Sequence, residues 1–286
     1  MSNLVSIALI TRHLNESFLH EFIEYYFSEG VDTIYILQDT DGSHNIPQND
    51  HVHIIQSANF STNQLHDVNR LYQQIRNLHT WFIFVDCDEF ISCVNSEKDK
   101  TIRDMLLSTY QKIDCILIPW VMMSCNHRKR NPTSLLQGIT HRWDHDITHP
   151  HPNHWNKGRC RYDAIEVKAI FKGASVSRIN IHCPHSYTIK PAIIDSVYHN
   201  TSHNTPLYKG LHETEIAHAR LICFHYRIFS KNECIAKFKQ NKLDGYKQAA
   251  FSDLWVTDYA DKRELFMREK SIARFGEKSI ARFGEK

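Results

Sequence analysis

No stretch of this chain approaches the ~18 consecutive apolar residues of a membrane span. Its opening, Met1-Ser2-Asn3-Leu4-Val5-Ser6-Ile7, lacks a basic segment followed by a signal-like apolar run. The expectation is a cytoplasmic enzyme with no transmembrane segment. Charge of one sign is also missing: 34 Lys and Arg face 32 Asp and Glu, a net charge of +2. So small an excess predicts no nucleic-acid partner. The eight cysteines contain no Cys-x-x-Cys pair, and the chain is too long for a disulfide-stapled mini-protein. They read as small buried thiols. No linker breaks the chain, so residues 1–250 read as one domain, with a donor half of about 1–120 and an acceptor-side half of about 121–250. Residues 251–286 read as a helical tail. It contains the octapeptide SIARFGEK twice, at 271–278 and 279–286. Two copies are too few for a solenoid; the second is read as a duplication and plays no part in the functional argument.

What the chain does have is Trp81-Phe82-Ile83-Phe84-Val85-Asp86-Cys87-Asp88-Glu89-Phe90. Five apolar residues run into three carboxylates. A strand covered on both faces is hydrophobic throughout, so the apolar half reads as a buried parallel strand. The acidic half then lies at the strand's carboxyl end, where open α/β sheets bind ligands. Asp86 and Asp88 share a side if the chain stays extended. Two hard carboxylates in a crevice suit Mg²⁺ or Mn²⁺, shared with a substrate phosphate.

Around this stretch the elements alternate. Strands are expected at 5–10, 33–37, 52–55 and 81–85, with helices at 17–28 and 65–78 and Gly30 as a helix stop. Further strands are expected at 115–120, 167–171, 177–182 and 221–226. Ser230 with Glu233 three residues on is a capping-box pattern that opens a helix. The fold class is therefore α/β, with a mostly parallel central sheet and helices on both faces. Residues 124–163 form a long polar stretch, and such stretches are usually functional. Its histidines, His141, His145, His149, His151 and His154, have no cysteine or carboxylate at zinc-ligand spacing.

The chain resembles glycosyltransferases of the GT-A type, in particular the family 2-like group and the related family 92. Asn15-Glu16, Glu21-Phe22-Ile23 and Gly30-Val31-Asp32 resemble that group's opening pattern. Asp39-Thr40-Asp41-Gly42-Ser43 resembles its Asp-rich loop, and Asp86-Cys87-Asp88-Glu89-Phe90 its Asp-x-Asp-Glu-Phe signature. Val167-Lys168-Ala169-Ile170, Ile181-His182-Cys183-Pro184 and Phe224-His225-Tyr226 follow in the same order. The resemblance covers roughly residues 5–245.

It implies a Rossmann-like nucleotide-diphospho-sugar transferase fold and an inverting transfer from a nucleotide-sugar, UDP-linked by the commonest precedent, to a glycan or glycoconjugate acceptor. It implies Asp86, Asp88 and His225 as ligands of Mn²⁺ or Mg²⁺. Arg12, Asp39, Arg70, Asp86 and Lys168 are implied as donor-binding residues. An inverting transfer needs a carboxylate base beside the acceptor hydroxyl. Glu89, Asp144, Asp146, Asp163 and Glu166 are candidates, with Asp144 and Glu166 foremost. At Thr140-His141-Arg142-Trp143 the chain departs from relatives, which carry an acid where His141 stands. Ser124-Cys125-Asn126-His127 departs from a glycine- and serine-rich form. Trp120, Trp143 and Trp155 are candidates for stacking on sugars. Two other readings stand beside this one. A sugar nucleotidyltransferase usually has a glycine-rich phosphate loop near its start, and Ile10 to Asn15 contain no glycine. A catalytically silent carbohydrate-binding protein would keep the scaffold alone.

Overall fold

The structure, a computed structural model, describes residues 5–13, 17–39, 50–57, 64–149, 165–197, 207–208, 211–239 and 255–277. In chain order the elements are β1 (Ile7–His13), α1 (Leu19–Ser28), β2 (Thr33–Asp39), β3 (Val52–Ser57), α2 (Gln64–Ile75), β4 (Trp81–Phe84), β5 (Glu89–Cys93), α3 (Ile102–Leu107), β6 (Cys115–Ser124), α4 (Leu135–Gly138), β7 (His141–Arg142), β8 (Ile165–Lys172), β9 (Val176–Ile179), β10 (Pro184–Tyr187), β11 (Ile193–Asp195), β12 (Leu207–Tyr208), α5 (Glu213–Ile216), β13 (Leu221–His225), α6 (Lys231–Lys239), β14 (Lys262–Arg263) and α7 (Phe266–Phe275). The chain divides into two compact units. One comprises Met1–Trp120 and Asp163–Cys223, the other Val121–Tyr162 and Phe224–Lys286.

The first unit is an α/β fold. Its central run, β3-β2-β1-β4, is parallel throughout. β8 then joins β4 antiparallel and pairs on its other edge with β6, also antiparallel. The expected all-apolar strand is real: every residue of β4 is buried, and Ile7 to Ile10 of β1 are fully enclosed. Gly30 lies at φ 89, the left-handed geometry that lets a glycine end a helix. It follows α1, and its carbonyl accepts two bonds from the Arg103 guanidinium. α3 opens with a capping box between Thr101 and Asp104.

In the second unit, the last residues of β6 pair with β7 and β7 pairs with β14. α4 packs against α7. Ser230 caps α6 as its spacing predicts, its Oγ accepting the Glu233 N–H at 3.1 Å. A buried carboxylate organises the turn after β6. Asp258 accepts the N–H groups of Cys125 (2.9 Å) and His127 (2.8 Å) and the Cys125 thiol (3.0 Å). Asn126 and His127 both lie in the left-handed region, at φ 52 and 56. This is the segment that replaces a glycine-rich loop. Three donors on one carboxylate offset the cost of two successive left-handed residues that have side chains.

Candidate active site

The acidic signature folds into a turn. The Glu89 N–H donates to Asp86 O at 3.0 Å, and the Asp86 N–H donates to Glu89 Oε2 at 2.8 Å. Asp86 and Asp88 therefore do not share a side through strand alternation, because the chain does not stay extended. α1 fixes the far end of the turn. The Tyr26 hydroxyl donates to Glu89 O (2.9 Å) and accepts from the Ile91 N–H (3.0 Å), while Tyr25 donates to Ile91 O (2.8 Å). The Phe90 ring packs edge-on against Phe22 and Tyr25.

Cations hold Asp86 from two neighbouring strands. Arg12 lies two residues beyond the last β1–β4 pair, Ile10 with Phe84. Its Nε and Nη2 donate to Asp86 Oδ1 at 3.2 and 2.7 Å. Lys168 lies on β8 beside Ala169, the partner of Phe84, and is completely buried. Its Nζ is 3.1 Å from Asp86 Oδ2, 2.9 Å from Glu89 Oε2 and 3.2 Å from Ile181 O. Burial alone would raise the Asp86 pKa, but Lys168 and Arg12 outweigh it and hold the carboxyl well below its usual range. Burial would likewise discharge Lys168, but Asp86 and Glu89 keep it an ammonium.

This geometry revises two expectations. An ammonium has three donors, and all three of Lys168 point at protein oxygens, so in this arrangement none is left for a diphosphate. Both Asp86 oxygens accept from cations, so its charge is already neutralised and it is a poor metal ligand. Among the described residues no group of three His, Cys, Asp or Glu side chains is placed to hold a metal ion. Of the expected trio, Asp86 and Asp88 belong to the first unit and His225 to the second. Asp88, half-buried in the turn, suits an ion that takes one protein carboxylate and draws the rest of its shell from phosphates and water.

Glu166 lies two residues before Lys168, on the same face of β8. His182 meets it, Nε2 to Oε1 at 3.3 Å, while Nδ1 lies 3.3 Å from Val167 O. A carbonyl can only accept, so the contact with Val167 O puts a hydrogen on Nδ1 and leaves Nε2 as the nitrogen that faces Glu166. Burial and the Lys168 charge lower the His182 pKa, and Glu166 opposes them. The His182 ring also packs edge-on against Trp120. His182 belongs to a quoted motif but carried no assigned role. Its place in that motif, flanked by Ile181 and Pro184, was the available signal.

The other candidates lie elsewhere. Arg70 is mostly exposed on α2, 3.5 Å from Asp67, and lines a shallow pocket with Arg178 of β9. Asp39 ends β2, but its side chain lies outside the described residues, as do Asp163, Trp155, His151 and His154. Glu89 is wholly buried against Lys168, which suits a structural carboxylate and not a base. In the second unit, Asp144 accepts the Asp146 N–H at 2.8 Å in a local turn and lies 3.6 Å from Lys262. His225 is buried at the end of β13, and His145 is also buried. His149 stacks on Tyr259 and meets Asp261 at 2.8 Å. Trp143 is buried against Tyr259, a packing role. Of the thiols, burial pushes Cys115 up to about 12 and Cys183 to about 11, so both stay protonated and inert.

The chain matches no protein-family profile and no curated protein. Among solved structures it is similar to a glycosyltransferase involved in the glycosylation of the major capsid of PBCV-1. That match has 14% identity and a TM-score of 0.25, and covers 59% of this chain and 61% of that one. It is also similar to a CMP:2-keto-3-deoxy-manno-octonic acid synthetase complexed with CTP. Here the identity is 11% and the TM-score 0.27, with coverage of 59% and 74%. Both overlaps are partial and shallow; the α/β assignment rests on the strand order. No helix among the described residues is long and apolar enough to cross a membrane.

Proposed function

We propose that this chain is a nucleotide-sugar-dependent glycosyltransferase of the GT-A type, moving a sugar to a glycan or glycoconjugate acceptor with inversion. The observation that supports this best is the Asp86 carboxylate, clamped between Arg12 and Lys168 at the carboxyl ends of β1 and β4. That edge of a parallel sheet is where α/β folds take nucleotides. A carboxylate has about four lone-pair sites, and the Asp86 side chain is 27% exposed. It can therefore still accept ribose hydroxyls while Arg12 and Lys168 keep it ionised. Lys168 and Glu89 are positioning residues for it.

Asp88 would hold Mn²⁺ or Mg²⁺ together with the donor diphosphate, and the ion would neutralise charge on the departing nucleoside diphosphate. Glu166 takes the acceptor's proton. His182 orients that carboxylate from one side. Glu166 is preferred to Asp144 because it shares a strand face with Lys168, whereas Asp144 is committed to its turn.

Thermal-shift binding tests the donor site, using UDP-, GDP-, CMP- and dTDP-sugars with and without Mn²⁺. One nucleotide should raise the melting temperature in a metal-dependent way, and Asp88→Ala should abolish the rise. No shift with any nucleotide under either condition overturns the proposal. Glu166→Gln should keep the shift yet lower turnover by about 10²-fold or more.

A further inference from the structure

The whole-chain charge conceals two opposed regions. The first unit holds 13 Lys and Arg against 21 Asp and Glu, a net of −8. The second, without the repeated octapeptide 279–286, holds 19 against 10, a net of +9. Such asymmetry within one chain points to an anionic partner for the basic part.

The second unit also contains a pocket of about 400 Å³ between the segment after Asp258's turn, α4 and α7. That volume suits a small ligand. Arg128 and Arg268 are its cations and Glu277 its one acid; Thr133 and Thr140 offer hydroxyls, and Pro132 a flat apolar surface. The pocket is held in shape from several directions. Arg128 Nη2 donates to Gly138 O at 3.0 Å, using one of five donors. Gly138 is packed so closely on Pro132 that a β-carbon there would collide with the ring. The Gln137 amide ties α4 to α7 through Ser271 Oγ (3.2 Å) and Gly276 O (3.0 Å). The backbone carrying Arg128 is fixed on both sides. Asp258 clamps the turn before it, and the Lys231 and Asn232 N–H groups donate to Arg128 O (2.8 Å) and Lys129 O (3.2 Å). Lys129 and Arg130 stand exposed beside it. Two arginines in a preorganised, hydroxyl-bearing concavity match an oxyanion carried on a sugar ring. An anionic membrane would call instead for a flat basic face.

We propose that this pocket binds an acidic saccharide unit, with its carboxylate or phosphate on Arg128 and Arg268. In the glycosyltransferase reading, on which this extension rests, the ligand is part of an acidic acceptor chain. Binding itself needs neither donor nor metal, so the two proposals can fail separately.

The test is titration calorimetry of the full chain with four probes: an oligogalacturonate, a hexose phosphate, a neutral glucan of matched length and phosphatidylserine vesicles. No nucleotide is present, and each is run at low and high salt. At least one acidic probe should bind about tenfold or more tightly than the neutral one, more weakly at high salt. Which one binds tells a carboxylate ligand from a phosphate. Arg128→Gln and Arg268→Gln should each weaken it by about tenfold, the scale of one charge-assisted hydrogen bond. Lys129→Gln, outside the pocket, should weaken it by less than about threefold on the surface-charge scale. Equal binding of the neutral glucan, no binding of either acidic probe, or equal losses in all three variants overturns the pocket assignment. So does binding to phosphatidylserine vesicles without saccharide binding, which would make the basic region a membrane surface. If acidic saccharide binds but no nucleotide does, the pocket stands and the transferase reading falls.

Discussion

The two units solve the problem of charge in opposite ways. In the first, four cations close on carboxylates, although others such as Arg70 and Arg178 stay exposed. Arg12 and Lys168 close on Asp86, Arg103 on Asp32, and Lys172 approaches Asp114 at 3.7 Å. In the second, Arg142 is paired with Glu264, Lys262 with Asp144 and, more loosely, Arg268 with Glu277, but Arg128, Lys129 and Arg130 face water in sequence. Buried ion pairs cost desolvation and give a fixed geometry; exposed cations cost little and give a field. A total charge of +2 argues against an anionic partner only while the chain is treated as uniform.

The sharpest break of this contrast is Lys168→Met. It leaves Asp86 and Glu89 enclosed without their ammonium and should cost about 3–5 kcal/mol, the scale for halving a buried pair. Arg128→Gln in the second unit should stay within about 0.5 kcal/mol, as exposed substitutions do. Denaturant unfolding of both variants measures the gap. Comparable small losses would mean that the Lys168 cluster is not the tightly coupled unit described above. Adding Glu89→Gln to Lys168→Met should recover part of the loss, since the two residues share one interaction.

Acid sharpens the comparison next. Asp86 titrates below its unfolded value, so the stability it contributes is present above the usual carboxylate range, roughly pH 4, and is lost as pH falls through the folded pKa. His182 and His79 are lowered chiefly by burial. The unfolded chain takes up their protons first, so stability falls as pH drops below roughly 6.5. Both effects make acid destabilising. Lys168→Met removes the largest force depressing Asp86, so its deficit against the wild type should narrow below about pH 4. A constant deficit from pH 7 to 3 would sever Asp86 from that lysine.

Much of the first unit is legible in sequence because local rules carry it. The strand at Trp81 begins where its apolar run begins, and Gly30 ends α1; in the second unit Ser230 caps α6 in the same way. The acidic turn is legible as a site for the same reason. What pairs with it is not. Lys168 reaches Asp86 across 82 positions, through an antiparallel β4–β8 register that no local pattern specifies. A lysine amid Val167, Ala169 and Ile170 does signal burial, and a buried lysine demands carboxylates. That signal was open to being read as Glu89's partner and not as a phosphate contact. Asp258 lies 133 positions from Cys125, and the glycine-poor turn gives no hint of the carboxylate that sustains it.

That turn supplies the smallest effect. If Asp258 holds Asn126 in the left-handed region against a modest steric cost, the cost should depend on the side chain placed there. Asn tolerates φ near +52 better than most residues and Gly adopts it freely. Asn126→Gly should therefore leave stability within about 0.5 kcal/mol, because relief of strain is offset by the entropy of a freer unfolded chain. Asn126→Val puts a branched β-carbon in the same geometry and should cost about 1–2 kcal/mol. Asn126 is exposed, so lost packing does not blur the comparison. The same variants bear on the proposed pocket, since the turn leads directly into Arg128. If the clamp sets the position of that arginine, Asn126→Val should weaken acidic-saccharide binding while Asn126→Gly does not. Equal binding by the two would confine Asp258's role to stability.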